Sequence, residues 1–257
     1  MTTFTKVKPA GTPTWTDLMT PDADAARKFY HAVFGWDYDI GGPEYGGYTT
    51  ARLGSRTTAG LMGMQPDMPA MPPAWGLYFA SDNAEADVAR AVKLGATVQS
   101  PTMVVGQFGS MAILADPTGA SFGLWQAGQH IGWQVSEEPG AVAWFELVSP
   151  DAKKARDFYA ALLGASVDAM SGGMEYYVLK HGENMLCGIM QIDPAWGKMP
   201  AQWVNYFSVA NADETAALVK SHGGTQMGPT EDSPFGRIAA LRDPSGATFK
   251  VVQPPKG

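Results

Sequence analysis

Residues 15–35 read WTDLMTPDADAARKFYHAVFG, and residues 144–164 read WFELVSPDAKKARDFYAALLG. Trp, an acid two residues on, Leu, Pro-Asp, Ala-Arg, Phe-Tyr and Gly recur in one order, spaced by 129 residues. The match continues downstream. Trp75…Tyr78-Phe79 returns as Trp203…Tyr206-Phe207, and Phe108-Gly109 returns as Phe235-Gly236. Asp116-Pro117-Thr118-Gly119-Ala120 returns as Asp243-Pro244-Ser245-Gly246-Ala247. Matched motifs at a near-constant offset mean a duplicated unit. The copies span 10–127 and 140–255, joined by a linker at 128–139.

Each copy reads as strand, helix and strands, twice over. Residues 14–20 form a strand that ends at Pro21-Asp22. Asp22 caps a helix whose apolar stripe is Ala26, Phe29, Tyr30, Val33 and Phe34, and Gly35 stops it. Asp151 and Gly164 bound the equivalent helix in the second copy. Strands are expected at 46–53 and 175–180, and again at 75–82 and 203–210. Asn83 and Asn211 then cap the second helix of each copy. Asp-Pro-x-Gly makes a tight turn into the last strands, 121–126 and 248–253. The pattern is four β-α-β-β-β modules.

The net charge of -7 argues against an electrostatic grip on nucleic acid or an anionic membrane. The N-terminal MTTFTKVKPAGTPTW has no apolar signal core, and no run is long enough to span a bilayer. A cytoplasmic protein, monomer or homodimer, is the expectation. The lone Cys187 cannot form an internal disulfide and reads as a buried filler.

A strand, Pro-Asp, a Phe-Tyr helix and Leu/Phe-Gly, followed by a late Asp-Pro-x-Gly turn, resembles the module of the glyoxalase/bleomycin resistance/extradiol dioxygenase, or vicinal oxygen chelate, superfamily. Both signatures occur in both copies, so the resemblance covers nearly the whole chain. It implies an α+β fold with two tandem glyoxalase-like domains. Each is two β-α-β-β-β modules forming a cupped mixed sheet with helices outside. In metal-using members the concave face holds a divalent ion on a first-strand His, a His on the first strand of the second module and a last-strand Glu.

Carried over residue by residue, those positions fall on Trp15, Gly76 and Gly123 in the first copy. In the second they fall on Trp144, Val204 and Lys250. None is a ligand for such an ion. A one-residue slip brings in Trp75, Tyr78 or Asn205, which are little better. No metal and no cofactor is expected, and metal-dependent glyoxalase, ring-cleavage or thiol-transfer chemistry is not expected either.

Strand alternation sets what lines each cup. Trp15 and Asp17 face in, as do Trp144 and Glu146. Tyr78 and Tyr206 face in from the second modules, and Trp125 and Lys250 from the closing strands. Trp15, Tyr78, Trp125, Trp144, Tyr206 and Lys250 are the candidate ligand contacts. Asp17 and Glu146 are candidate general bases, their pKa raised by burial beside Trp. Lys250 either anchors an anion, forms a Schiff base, or pairs with Glu146 to fill a collapsed cup. His31, His130, His181 and His222 read as structural. The Met- and Pro-rich stretches 62–75 and 190–200 read as lids or as plain crossovers.

Three functions follow. One is a metal-independent binder of a small aromatic or planar molecule. Another is a metal-independent isomerase, lyase or hydrolase working through Asp17 or Glu146. The last is an interaction module whose cups are filled by their own side chains. The duplicated aromatic walls favour the first. The sequence leaves open whether each cup forms within one copy or between the two.

Overall fold

The computed structural model describes residues 2–65, 71–170 and 173–255. The first half runs β2 (Pro13–Thr20), α1 (Ala23–Phe34), β3 (Asp37–Ile40), β4 (Thr49–Leu53), β5 (Arg56–Gly63), β6 (Ala74–Ala80), α2 (Ala84–Lys93), β7 (Thr97–Val105), β8 (Gly109–Ala115) and β9 (Ser121–Ala127). The N-terminal β1 (Thr2–Thr3) pairs with β10 (Val135–Ser136), in the segment that joins the halves. The second half follows as β11 (Val142–Ser149), α3 (Ala152–Leu163), β12 (Ser166–Ala169), β13 (Tyr176–His181), β14 (Asn184–Gln191), β15 (Gln202–Ser208), α4 (Ala212–Ser221), β16 (Thr225–Gln226), β17 (Glu231–Ser233), β18 (Gly236–Arg242) and β19 (Thr248–Gln253).

Each half builds its own sheet. The first has the order β3-β4-β5-β2-β6-β9-β8-β7, and the second β12-β13-β14-β11-β15-β19-β18-β16, with β17 added on β18. The two modules of a half meet where β2 pairs with β6, and β11 with β15, both antiparallel. Each cup therefore lies within one half, which settles the question the sequence left open.

The helix caps follow their residues. Asp22 accepts from Ala25 N at 2.9 Å and Asp151 from Lys154 N at 3.0 Å. Gly35 and Gly164 end their helices at φ 71° and 67°, a conformation that favours glycine. The strand expected from residue 46 begins only at Thr49. Pro43–Tyr45 instead form a 3₁₀ turn, and Gly46 and Gly47 follow with positive φ, so the ladder cannot start earlier. Among the described residues no helix is long and apolar enough to cross a membrane.

The halves share one core. Trp36 is wholly buried, and its ring lies 5.4 Å from Tyr30, 6.1 Å from Trp75 and 5.6 Å from Phe207 of the other half. Its indole N–H donates to Gly140 O at 2.8 Å. The outer faces of β2 and β15 also touch: Asn205 Nδ2 donates to Thr16 Oγ1. Asn205 thus faces the other half, away from its cup. So does Trp75, whose ring lies 5.1 Å from Phe207 of the other half. Neither can serve as the slipped ligand considered above. The two cups open away from this shared interior.

Candidate functional site

In the first half the centre of the cup is a carboxylate under two phenols. Asp17 Oδ2 accepts from Tyr48 Oη and from Tyr78 Oη, each at 3.1 Å. Trp15 Nε1 donates to Tyr48 Oη at 2.6 Å. Burial pushes the Asp17 carboxyl up to about 6, although both tyrosine hydrogen bonds pull it down. Tyr48 and Tyr78 are driven well above the usual phenol range by burial first and the Asp17 charge second. They remain donors at any physiological pH.

Small residues make room for these rings. A Cβ on Gly60 would lie 2.0 Å from the Tyr48 hydroxyl, and one on Gly123 would lie 2.1 Å from the Tyr78 ring. Gly123 stands beside Tyr78 in the parallel β6/β9 pair. Trp15 is only 3% exposed. The Tyr45 ring meets Phe108 at 5.3 Å, which joins the loop after β3 to the β7–β8 turn.

The second half keeps the same frame with a different centre. Trp144 Nε1 donates to Tyr176 Oη at 3.1 Å, matching Trp15 and Tyr48. A Cβ on Gly188 would lie 1.9 Å from the Tyr176 hydroxyl, as Gly60 does for Tyr48. Glu146 Oε1 accepts from Tyr206 Oη at 2.9 Å and from Lys250 Nζ at 2.9 Å. Lys250 Nζ also donates to Tyr206 Oη at 2.7 Å. Of the roles considered for Lys250, pairing with Glu146 is the one the geometry displays. Burial, with the Glu146 charge second, holds the Tyr206 and Tyr176 hydroxyls above the phenol range.

Around this centre lies a patch apart from the main core. Val148, Met190, Ile192, Val204, Tyr206 and Val252 form it, with Trp144, Tyr176 and Ile238 half-buried against it. Phe235, the counterpart of Phe108, is 60% exposed. Two surface grooves of about 420 and 390 Å³ lie elsewhere, along the α2–α3 and α1–α4 contacts, and include none of the cup residues.

Every candidate contact named from the sequence lies on a cup: Trp15, Asp17, Tyr78 and Trp125 on one, Trp144, Glu146, Tyr206 and Lys250 on the other. Tyr48 and Tyr176 were missed. Tyr48 immediately precedes β4 and Tyr176 opens β13, where a strand reading gave no sign that a tyrosine would reach the carboxylate two strands away. The glycines opposite the acids, Gly60 and Gly188, were the available signal.

His130, a linker residue, packs against the first cup. Its ring sits edge-on to Trp15 with centroids 4.2 Å apart, and 5.4 Å from Trp125. The other histidines serve backbone carbonyls: His31 meets Trp36 O, His181 meets Leu163 O and His222 meets Leu218 O. Cys187 is buried, and burial raises its thiol out of the reactive range. Of the stretch 62–75, residues 66–70 lie outside the described residues.

Residues 15–125 match the Glyoxalase-like domain family, and residues 141–251 match the Glyoxalase/Bleomycin resistance protein/Dioxygenase superfamily. Over 250 residues the chain is 40% identical to the "Putative glyoxylase CFP32" of Mycobacterium tuberculosis (strain CDC 1551 / Oshkosh), covering 95% of each chain. The chain belongs to the glyoxalase/bleomycin resistance/dioxygenase superfamily. Another relative is the anthracycline biosynthesis protein DnrV of Streptomyces peucetius, 36% identical over 257 residues, covering 95% of this chain and 93% of DnrV.

Among solved structures of the superfamily fold, the Mn(II)-bound glyoxalase from Novosphingobium aromaticivorans aligns with a TM-score of 0.66 at 15% identity. The alignment covers 95% of this chain and 82% of that one. The 2,3-dioxygenase LapB from Pseudomonas sp. KL28 aligns with a TM-score of 0.66 at 13% identity, covering 100% and 94%. At such identities the likeness is one of fold.

The fold family implies a divalent ion, and the residues present do not fit one. The first cup offers one carboxylate, two neutral phenols and the single imidazole of His130, and the second one carboxylate, phenols and a lysine ammonium. Among the described residues no three His, Cys, Asp or Glu side chains gather as a metal cluster.

Proposed function

We propose that this glyoxalase-like protein binds a small planar aromatic molecule in its second cup, without a divalent metal. The observation that carries the reading is a second, separate apolar cluster around Tyr206, with Trp144 and Tyr176 half-buried at its edge. A flat ring system laid against Trp144 and Tyr176 covers the part of their surface left exposed, and each ring face gains stacking. The Lys250–Glu146–Tyr206 cluster supplies the polar contact that fixes orientation. The kinship with a protein named for anthracycline biosynthesis supports this ligand class, because an anthracycline carries fused planar rings.

The test is calorimetric titration of the full chain with daunorubicin, with and without EDTA. Binding is expected to ignore the chelator and to weaken at least tenfold in Trp144→Ala. Binding that needs a divalent ion, or that Trp144→Ala leaves untouched, defeats the reading.

A second reading concerns the first cup, and the Asp17 carboxyl near 6 favours it. At pH 7 that group is a carboxylate basic enough to take a proton from carbon beside a carbonyl. Tyr48 or Tyr78 would then turn its hydroxyl to the developing enolate oxygen. Return of the proton to another carbon completes an isomerisation with no cofactor. Such an enzyme would lose turnover in Asp17→Asn, and its kcat would rise through pH 6 in the native protein. Glu146 is poorer in this role because Lys250 already neutralises it.

A further inference from the structure

The joining segment carries His130 onto the concave face of the first half, and neither reading above gives it a task. The segment is fastened at both ends. Gly128 N and His130 N donate to Phe108 O at 2.8 and 3.1 Å, and Trp133 N donates to Thr14 O at 3.0 Å. Gly132 permits the close approach to β2: its φ is 92°, and a Cβ there would lie 2.2 Å from Thr14 O. The imidazole is thereby lodged between Trp15 and Trp125, rings on the same sheet face as Asp17.

Its Nε2 is hidden from solvent and meets no hydrogen-bond partner among the described residues. Burial, with Lys8 nearby as the second cause, lowers the ring's pKa to about 4. At neutral pH it is therefore an uncharged imidazole, with one N–H and one acceptor nitrogen. A phenylalanine would fill the gap between two indoles without a buried polar atom left unpaired. Trp15 separates this nitrogen from a second polar point, because its indole N–H leads through Tyr48 to Asp17.

We infer that His130 is a ligand-contacting residue of the first cup. Its Nε2 pairs with a hydroxyl or carbonyl oxygen carried on an aromatic ring, and the ligand class is a phenol or hydroxyquinone. The adjoining Trp15 and Trp125 rings select the aromatic body, and His130 selects the oxygen. The inference rests on the reading that the superfamily cups here take aromatic molecules, but it concerns the other cup and fails separately.

Full-length protein labelled with ¹⁵N-histidine is titrated with alizarin, a hydroxyquinone, and with anthraquinone, which lacks the hydroxyls. Alizarin is expected to move the Nε2 resonance assigned to His130 by its loss in His130→Phe. In calorimetry His130→Phe is expected to weaken alizarin binding at the first cup about tenfold, the cost of one hydrogen bond. His130→Gln keeps a polar nitrogen at similar reach and is expected to stay within threefold. Anthraquinone is expected to bind His130→Phe and native protein more nearly alike than alizarin does.

An unmoved His130 resonance at saturating alizarin overturns the inference, as does an isotherm that His130→Phe leaves unchanged. If only the second-cup reading is wrong, the resonance still moves and Trp144→Ala is without effect. If only the present inference is wrong, binding falls with Trp144→Ala and the His130 resonance stays in place.

Discussion

The Tyr30 hydroxyl of the first half donates to Asp243 Oδ2 of the second at 3.1 Å. Tyr30 comes from the Phe-Tyr pair of α1, and Asp243 from the Asp-Pro-x-Gly turn. Asp243 also holds its own turn, accepting from Ser245 N at 2.9 Å and Ala247 N at 3.0 Å through Oδ1. Trp75 Nε1 donates to Tyr30 Oη at 3.0 Å, and in the reciprocal place Trp203 Nε1 donates to Tyr159 Oη at 3.0 Å. The two sequence signatures of the duplicated module thus meet each other across the halves.

Removing the Tyr30 hydroxyl strands a buried indole donor and a buried carboxylate oxygen. Tyr30→Phe is expected to cost about 1–3 kcal/mol. Because one aromatic core spans both halves, urea unfolding should stay a single transition at a lower midpoint. Two separated transitions in the native protein would refute the shared core.

Lys250 is the cation that offsets the Glu146 charge, and Glu146 is only 5% exposed. Lys250→Met should destabilise by about 3 kcal/mol, since it leaves a buried carboxylate without its partner. Adding Glu146→Gln removes that charge and should recover most of the loss. A double-mutant cycle by denaturant titration measures the coupling, and near-additivity of the two changes would show the pair to be inert.

Asp17 and His130 titrate in opposite senses within one cup. The Asp17 pKa rises on folding from 3.8 to about 6, so the folded state holds the extra proton between those values. Stability from this group is present at low pH and falls as pH rises through about 6. Asp17→Asn keeps an oxygen for Tyr48 and Tyr78 without the charge. It should stabilise the protein by about 2 kcal/mol at pH 8 and by little at pH 4, read as a Tm shift of a few degrees.

For His130 the folded pKa drops from 6.5 to about 4. The unfolded chain holds the extra proton in that window, so stability is full above 6.5 and falls as pH drops toward 4. His130→Phe should therefore flatten the acid side of the stability profile. Equal slopes between pH 4 and 6.5 in native and variant protein would contradict the burial of this ring.

Gly123→Ala tests the packing beneath Tyr78. The added Cβ would fall 2.1 Å from the ring, so Tyr78 must leave its place over Asp17. A loss of about 1–3 kcal/mol is expected, together with a displaced Tyr78 ring in a crystal structure of the variant. Lys250 occupies the equivalent place in the second half, beside Tyr206. There the ammonium sits 4.8 Å from the Tyr206 ring centroid.

Much of this was legible in the chain itself. The caps at Asp22 and Asp151 and the stops at Gly35 and Gly164 are local chemistry, visible wherever a short polar residue opens an apolar helix. Strand alternation put Trp15 with Asp17, and Trp144 with Glu146, because the side-chain period of a strand is fixed at two. The absence of His or carboxylate at the carried-over ligand positions was equally plain. The strand expected at residue 46 was misplaced because the Pro43–Tyr45 turn is stabilised by its own loop and leaves no alternation to read.

By itself the sequence determined the duplication, the superfamily module, the alternation that sets the aromatic and acidic residues on one strand face, and the residues at the carried-over ligand positions. These depend on identity and short-range spacing. Only the tertiary structure decided that each cup closes within its own half, that Tyr48 and Tyr176 reach the central acids, and that His130 returns to the first cup. It also decided that Lys250 is held by Glu146 while the first cup keeps a carboxyl poised near pH 6. Those outcomes rest on strand register and burial between residues far apart in the chain, where solvent exclusion and distance, rather than residue type, set what a group can do.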